Sequence, residues 1–188
     1  MNTYDFDQTI YRSDSSYHFF LHCLKRHPRA VLPALAKSLR LALAYRRGHI
    51  DAKPLKESLF SYLSRLEDVE RTVHEFWESH RRHLADWYLR QKKEDDLIIS
   101  ASPEFLLAPI ARELGVRLIA TRMDHRTGKI HGQNCHGEEK VRRFREAYPD
   151  AETEEFYSDS HTDAPMARLA ARAFLVKKKR IRPWKHTE

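Results

Sequence analysis

Two aspartates stand two positions apart in the stretch TYDFDQT near the start of the chain. Asp5 and Asp7 follow a short apolar run, and Thr9 comes two positions later. Because alternate side chains of a strand point to the same side, both carboxylates could face one spot. Like charges that close raise each other's pKa unless a cation lies between them. The spacing is compatible with a metal site, although a lone D-x-D more often marks a polar turn after a strand.

Further polar residues follow later predicted strands. Ser100 and Ala101 follow the run LII, Asp159 and Asp163 follow the run EFYS, and Lys140 lies near the start of the helix before that last strand. Ligands of open parallel sheets bind beyond the carboxyl ends of the strands, so we expect these residues to meet the first-strand aspartates there. Each has an ordinary alternative, such as a strand-end polar residue, a surface lysine or a helix-capping acid. Their joint occurrence in this order favours one shared site.

Three blocks of the chain differ in pattern and together predict an α/β fold. Residues 1–12 predict a strand and a turn, residues 14–93 predict four helices, and residues from 94 onward alternate strands with helices. Such alternation predicts a Rossmann-like parallel sheet covered on both faces. The all-helical block is then an insertion directly after the first strand.

The last block carries three more local predictions. RMDHRTGKIHG predicts a hairpin that turns at Thr127 and Gly128. DAPMARLAARA predicts a helix, which a final strand, AFLVKK, follows. The C-terminal stretch VKKKRIRPWKHTE predicts a solvated basic tail.

The composition suits a protein of one domain with an insertion. The chain has 188 residues and is 41% hydrophobic, which is enough for a core. It contains no apolar run of about 18 residues and no signal-peptide pattern. Cys23 and Cys135 lack metal-type spacing, and the twelve histidines are interpreted as scattered surface residues. We therefore expect a reduced, cytoplasmic location.

The positive charge is concentrated in one region. The net charge is +7, and the stretch from Lys25 to Lys56 holds nine Lys or Arg against a single acid, Asp51. An excess of basic residues indicates an anionic partner. Here it indicates either an anionic substrate or a membrane face near this region, or else a solvated basic helix face.

Four motifs and their order resemble the haloacid dehalogenase superfamily of phosphohydrolases, in the branch that contains phosphoserine phosphatase (subfamily IB). DFDQT is similar to the first motif, DxDxT, and IISAS to the second. GEEKVRRF is similar to the third, and SDSHTD to the fourth, a DxxxD pattern. The resemblance implies an α/β core domain at residues 1–13 and 94–188. It also implies a helical cap domain at residues 14–93.

The resemblance implies a role for each motif residue. Asp5 would be the nucleophile that becomes an aspartyl phosphate, and Asp7 the general acid and base. Lys140 would neutralise the phosphate and the nucleophile. The phosphate would be bound by Thr9, Ser100, Ala101 and Lys140.

The resemblance also implies Mg²⁺ as the cofactor. Its ligands would be Asp5, Asp159 and the backbone carbonyl of Asp7, with Asp163 as a supporting acid. Elementary electrostatics requires such cations, because a carboxylate that approaches a phosphate dianion meets like charge. At ~4 Å and an effective dielectric of ~20, each unit pair costs about 4 kcal/mol. A divalent ion and an ammonium offset that cost, while a second carboxylate and partial burial would raise the pKa of Asp7 toward that of a proton donor.

The motifs leave the substrate open. Ser158 stands where the family often has Gly, and Asp14 lies near the position of a substrate-binding glutamate in phosphoserine phosphatase, so phosphoserine is not assigned. HGEEK and YSDS are similar to strings in phosphatidylglycerophosphate phosphatases, which suggests a lipid phosphate. The basic amphipathic helix RAVLPALAKSLRLALAYRRG could then lie in a membrane interface, or its apolar side could simply be core.

The sequence thus predicts a Mg²⁺-dependent phosphomonoester hydrolase whose cap selects a small-molecule or lipid phosphate. The alternatives are a lipid phosphate phosphatase at the inner membrane face, held there peripherally by the basic cap helix, and a catalytically inactive binding protein. A nucleic-acid partner is not expected, because basic and aromatic residues do not interleave.

Overall fold

The computed structural model describes residues 1–177 and 180–185. The strands are β1 (Thr3–Tyr4), β2 (Leu97–Pro103), β3 (Arg117–Thr121), β4 (Thr153–Ser158), β5 (Ala170–Lys177) and β6 (Arg180–Pro183). The helices are α1 (Ser15–Arg26), α2 (Pro28–Arg46), α3 (Ala52–Phe60), α4 (Val69–His80), α5 (Asp86–Gln91), α6 (Glu104–Leu114), α7 (Glu138–Ala147) and α8 (Ala164–Leu169). Short 3₁₀ turns follow α3 and α4 and precede α8.

The strands form one sheet in the order β3-β2-β1-β4-β5-β6. The first five run parallel, and β6 pairs antiparallel with β5. The predicted parallel sheet is confirmed. The short strand β1 lies at its centre, because Thr3 and Tyr4 pair with β2 on one side and β4 on the other. Residues directly after β1 therefore emerge between the ends of two neighbouring strands.

Helices α1 to α5 lie between β1 and β2 in the chain and form the helical insertion. Its buried aromatics belong to the same apolar cluster as the sheet residues Tyr4 and Ile98 and as Leu107 of α6. The indole of Trp77 donates a 2.7 Å hydrogen bond to the carbonyl of Leu106. Because the insertion and the sheet share this core, the division into a cap domain and a core domain stays a prediction. No described helix meets the length and apolarity that a bilayer crossing requires.

The C-terminal predictions need two corrections. Helix α8 ends at Leu169, and the next residues, predicted as helix, begin β5. The predicted solvated tail is wrong for residues 180–184, where β6 pairs with β5 and Trp184 is buried against Ala173. The basic composition gave no sign of this pairing, because an edge strand forms through backbone hydrogen bonds to its partner and leaves its side chains exposed. Residues 178–179 and 186–188 lie outside the described part.

The predicted hairpin at Thr127 and Gly128 reduces to a turn with a single bridge between Met123 and Ile130. The Asp124 carboxylate holds the turn by accepting from the Thr127 amide at 2.7 Å. Gly128 has φ of +74°, and a Cβ there would lie 2.5 Å from the carbonyl oxygen of Phe60 in α3. Both the left-handed backbone and the close approach to α3 require glycine.

We expect Gly128→Ala to lower the free energy of unfolding by roughly 2–4 kcal/mol, from left-handed strain plus the clash with Phe60. Gly132 is the matched control, because it has φ of +79° but open space, with no atom within 4 Å, where an added Cβ would stand. Gly132→Ala should cost only the backbone part, about 1–2 kcal/mol. Urea denaturation of both variants measures the difference. Equal losses would contradict the close approach.

Four histidines meet where the helical insertion leaves and rejoins the sheet. The group consists of His18 and His22 of α1, His80 at the end of α4 and His83 in the turn that follows, and neighbouring ring centroids lie 5.4–6.0 Å apart. There Tyr11 bridges to Leu84. The interpretation of the histidines as scattered surface residues is thus wrong for this group. Their i, i+4 and i, i+3 spacing was the available signal.

The pKa of His22 is lowered to about 4, first by burial and then by Arg26 and His80, with Glu75 opposing. The Nε2 atom of His22 is buried and has no hydrogen-bond partner among the described residues. Because the folded pKa lies below the ordinary value of 6.5, the folded state prefers the neutral ring. The neutral His22 ring makes its full contribution to folding stability above pH 6.5, and this contribution is lost as pH falls toward 4.

We therefore expect His22 to lower the free energy of unfolding as pH falls from 6.5 to 4, while the raised pKa values of Asp5 and Asp7 act in the opposite direction. His22→Leu should thus lose less stability on acidification than the parent chain. Chemical denaturation at a series of pH values measures the difference. The matched control is His74→Leu, at an exposed position of α4. An equal change of stability on acidification in His22→Leu and in the parent chain would contradict the assignment.

Candidate active site

The carboxyl ends of the central strands place the predicted site residues in one cavity. Asp5 follows β1, and its amide donates to the carbonyl of Tyr157 in β4 at 2.8 Å. Strand β2 continues past Ser100 with an irregular register as far as Pro103, so Ser100 and Ala101 face the same place from within a strand. The cavity of about 710 Å³ is lined by all predicted site residues except Thr9. Thr9 lies next to it, with its hydroxyl 3.4 Å from Asp5 Oδ2.

Lys140 joins two of the predicted acids. Its Nζ donates to Asp5 Oδ1 at 2.7 Å and to Asp163 Oδ2 at 2.8 Å, although it lies 135 residues from Asp5 in the chain. The lysine is 1% exposed and Asp163 is 3% exposed. Burial lowers the pKa of Lys140, but the two carboxylates outweigh burial and raise it above its ordinary value. Lys140 is thus a fixed positive charge beside Asp5.

The surroundings of Asp5 carry more negative than positive charge, even with Lys140 beside it. Burial raises the pKa of Asp5 to about 7, Lys140 opposes this, and Asp163 adds to it. Burial likewise raises the pKa of Asp159, with Asp163 contributing. Asp5 and Asp163 therefore share one buried ammonium, and a further cation would keep Asp5 ionised at neutral pH.

The residues present fit a hard divalent cation. Asp163 Oδ1 is buried and has no hydrogen-bond partner among the described residues. The donor set at this end of the sheet consists of carboxylate and carbonyl oxygens, which are the ligands that Mg²⁺ takes. Within residues 1–177 and 180–185, no group of three or more His, Cys, Asp or Glu side chains forms a cage that could hold a metal ion. Mg²⁺ usually keeps several waters and few protein ligands, so the fit does not require such a cage.

Asp7 is held by the start of α1 and the end of β2. Its Oδ1 accepts from the Ser15 amide at 2.6 Å, and its Oδ2 accepts from the Ser102 hydroxyl at 2.5 Å. Burial and then Asp14 raise the pKa of Asp7 to about 6, although these two donors oppose the rise. Both oxygens of the Asp7 carboxylate are thus engaged in hydrogen bonds.

The backbone of Gln8 and the hydroxyl of Ser158 support the placement of the acids next to them. Gln8 has φ of +56° and marks a tight turn directly after Asp7. Such strain in a non-glycine residue is typical of functional sites. Ser158, which departs from the family pattern, donates to Asp163 Oδ2 at 2.7 Å. Its hydroxyl therefore helps to hold the acid that Lys140 contacts.

Sequence reasoning missed several residues of the cavity. Lys56 of α3 donates to the carbonyl of Ala101 at 2.6 Å and to Asn134 at 3.2 Å, and burial lowers its pKa to about 8. Ser102, which donates to Asp7, is a second such residue. No motif could have identified Lys56, because it lies in a helix whose pattern KPLKESLF is that of an ordinary amphipathic surface.

The helical insertion supplies an apolar wall above this polar floor. The wall consists of Tyr17, Phe20, Leu35, Tyr45, Leu55, Leu59 and Phe60, from α1, α2 and α3. The cavity thus pairs a charged end with an apolar end, which suits an amphipathic phosphate ester.

Comparisons with known proteins find similar sequences and a similar solved structure. Protein CicA of Caulobacter vibrioides is 31% identical over 184 residues, which cover 89% of this chain and 81% of that protein. The Mycobacterium tuberculosis protein named Probable phosphatase Rv3661 is 41% identical over 91 residues, which cover 44% of this chain and 31% of that protein. A crystal structure of a Bordetella pertussis Tohama I protein of unknown function superposes with a TM-score of 0.74 at 28% identity, over 92% of this chain and 87% of that one.

The profile of one protein family spans most of the chain. The profile of the haloacid dehalogenase-like hydrolases matches residues 3–168, which include every predicted site residue. The sheet order, the strand-end acids and this match agree with one another. The chain therefore belongs to the haloacid dehalogenase-like hydrolases.

Proposed function

We propose that this protein is a Mg²⁺-dependent phosphomonoester hydrolase that works through an aspartyl phosphate on Asp5. The contact that carries the proposal is Lys140, buried between Asp5 and Asp163 at the end of the sheet. A buried ammonium there offsets the repulsion between the attacking carboxylate and a phosphate. Bound Mg²⁺ would supply further positive charge on the phosphate oxygens, with Asp5, Asp159 and the Asp7 carbonyl as its ligands.

The chain's own groups account for both halves of the reaction. Lys140 holds Asp5 Oδ1, so Oδ2 is the freer oxygen for attack on phosphorus, since it has only a 3.4 Å contact with Thr9. As the new O–P bond forms, the ester O–P bond breaks, and Asp7 gives its proton to the leaving alkoxide. Asp7 then takes a proton from the water that attacks the phosphoaspartate, which releases inorganic phosphate and restores Asp5.

Phosphate binding is assigned to the small residues at the strand ends. Thr9 and Ser100 are 2% and 1% exposed, and their hydroxyls lie beside Asp5 and at the end of β2 respectively. With the backbone at Ala101 and the ammonium of Lys140, they would bind the phosphate oxygens. The apolar wall favours substrates whose alcohol part is apolar, including lipid phosphates, over small polar ones.

A phosphate-release assay over soluble phosphomonoesters and lipid phosphates, with Mg²⁺ and with EDTA, tests the proposal. We expect release that depends on Mg²⁺. After acid quench of a ³²P-labelled substrate, the label should stay on the parent protein and not on Asp5→Asn. An absence of release from every ester would favour the alternative of an inactive binding protein.

Replacing Ser102 should slow hydrolysis most for esters whose leaving group needs a proton from Asp7. Ser102→Ala raises the pKa of Asp7 further, because the hydroxyl is one of the donors that lower it, but it also removes the hydrogen bond that orients the Asp7 carboxyl group. We expect the loss of orientation to dominate, so kcat/KM for alkyl phosphates should fall by about 10–100-fold. p-Nitrophenyl phosphate has a leaving group that needs little protonation, and its kcat/KM, which does not include hydrolysis of the phosphoaspartate, should change by less than about 3-fold. Steady-state kinetics on both substrates measures the contrast. Ser64→Ala, at an exposed serine, is the control, and equal losses on both esters would refute the role.

A further inference from the structure

The outer surface of α1 and α2 carries a concentration of exposed apolar side chains. Of the large hydrophobic residues that are exposed in the described part of the chain, six of eight lie on these helices: Tyr17, Leu21, Leu32, Leu39, Leu43 and Tyr45. On α2, Leu32, Leu39 and Leu43 are 53%, 60% and 55% exposed. Their spacing puts them in one row along the helix. Single exposed leucines are ordinary, but a contiguous row marks an interaction surface.

The same segment carries the net charge of the whole protein. Residues 15–50 contain seven Lys or Arg and no Asp or Glu, while the rest of the chain has 27 of each sign. On a helical projection of α2, the exposed residues Arg29, Lys37 and Arg40 lie along one side of the leucine row. This surface therefore combines aliphatic side chains with positive charge that no acid of α1 or α2 offsets.

The apolar surface is continuous with the cavity. Tyr17 and Tyr45 belong to the exposed set and also line the cavity, and Leu35 of α2 lines it as well. Asp5 and Lys140 line the same cavity. A molecule with a phosphate on these two residues would therefore extend its remainder toward the α1–α2 face.

We propose that the α1–α2 face docks on an anionic lipid bilayer. Leucines flanked by arginine and lysine are the composition of helices that lie in a bilayer interface, where the aliphatic groups enter the acyl boundary and the cations meet anionic headgroups. A nucleic acid would not bury the leucines, and an acidic protein would not need the continuity with the cavity. If the proposed function holds, on which this role rests, docking would let a lipid phosphate monoester enter the cavity from the membrane.

Vesicle flotation of the full chain tests the docking without turnover. We expect binding to vesicles of phosphatidylcholine and phosphatidylglycerol in a ratio of about two to one, at least ~10-fold stronger than to phosphatidylcholine alone and weaker as salt rises. Leu39→Glu combined with Leu43→Glu should abolish it. The matched control is Leu89→Glu, because Leu89 is 41% exposed on α5, away from this face. This control should bind as the parent chain does.

Two outcomes would overturn the proposal. One is equal binding to both kinds of vesicle, or binding that the paired leucine substitutions leave intact. The other is a dimer in solution, seen by light scattering, that the same substitutions convert to a monomer, since the face would then join two copies of the chain. Hydrolysis of p-nitrophenyl phosphate by the paired variant should match that of the parent chain. If the parent lacks this hydrolysis but floats with anionic vesicles, the proposed function fails while the docking stands.

Discussion

Asp5→Asn should lower kcat for any phosphomonoester by about 10⁴-fold or more. An amide cannot form the phosphoaspartate, and the remaining Lys140, Asp7 and strand-end hydroxyls can only orient the substrate. Phosphate release at saturating substrate, with Mg²⁺ present, measures the loss. Asp150→Asn, at an exposed position in the loop after α7, is the matched control and should keep full activity.

The same substitution should leave the fold intact or strengthen it. Burial and Asp163 raise the pKa of Asp5 to about 7, so the ionised carboxylate is costly in the folded protein. Asparagine keeps the oxygen that accepts from Lys140 and removes the charge. We therefore expect the free energy of unfolding to be unchanged or larger by about 1 kcal/mol, as in other sites where function opposes stability. A variant that folds normally and turns over within tenfold of the parent chain would refute the nucleophile assignment.

Lys140→Met should both inactivate and destabilise the protein. Methionine fills similar volume but leaves Asp5 and Asp163 buried without their cation. Breaking a buried ion pair in this way costs about 3–5 kcal/mol of unfolding free energy. Loss of the charge beside the phosphate should reduce kcat/KM by about 10²–10³-fold. Urea denaturation and steady-state kinetics measure the two effects separately.

A double variant separates the structural from the chemical role of Lys140. Lys140→Met combined with Asp163→Asn removes one stranded carboxylate, so it should regain part of the lost stability. It should not regain activity, because the ammonium beside Asp5 is still absent. Recovery of turnover together with stability would show that Lys140 acts only through folding.

The site residues were predictable because strand ends in a parallel sheet meet at one edge. Asp5, Asp159 and Asp163 follow apolar strands in the sequence, and the structure places all three in one cavity with Lys140. Local signals also predicted that the insertion is helical, although four helices were expected and five are present, because the last predicted helix breaks between α4 and α5. These features depend on neighbours within a few residues, so the sequence carries them directly.

Contacts between distant residues were not predictable in this way. Ser102 reaches Asp7 across 95 positions, and Lys56 reaches Asn134 across 78. The four-histidine group and the β5–β6 pair likewise join elements whose relative placement no local pattern encodes. Each contact depends on how helices pack on the sheet, and a composition such as that of the basic tail is compatible with several packings.

The sequence by itself determined which residue types are available for chemistry, and in which order along the strands they stand. Only the tertiary structure decided which carboxylate accepts a hydrogen bond from the lysine and which accepts one from the serine. That division separates the two aspartates of the first motif: Asp5 is paired with Lys140, and Asp7 is hydrogen-bonded by Ser15 and Ser102. The physical reason is that the pKa of a carboxyl group is set by burial and by charges and donors within a few ångströms, and folding alone brings these together.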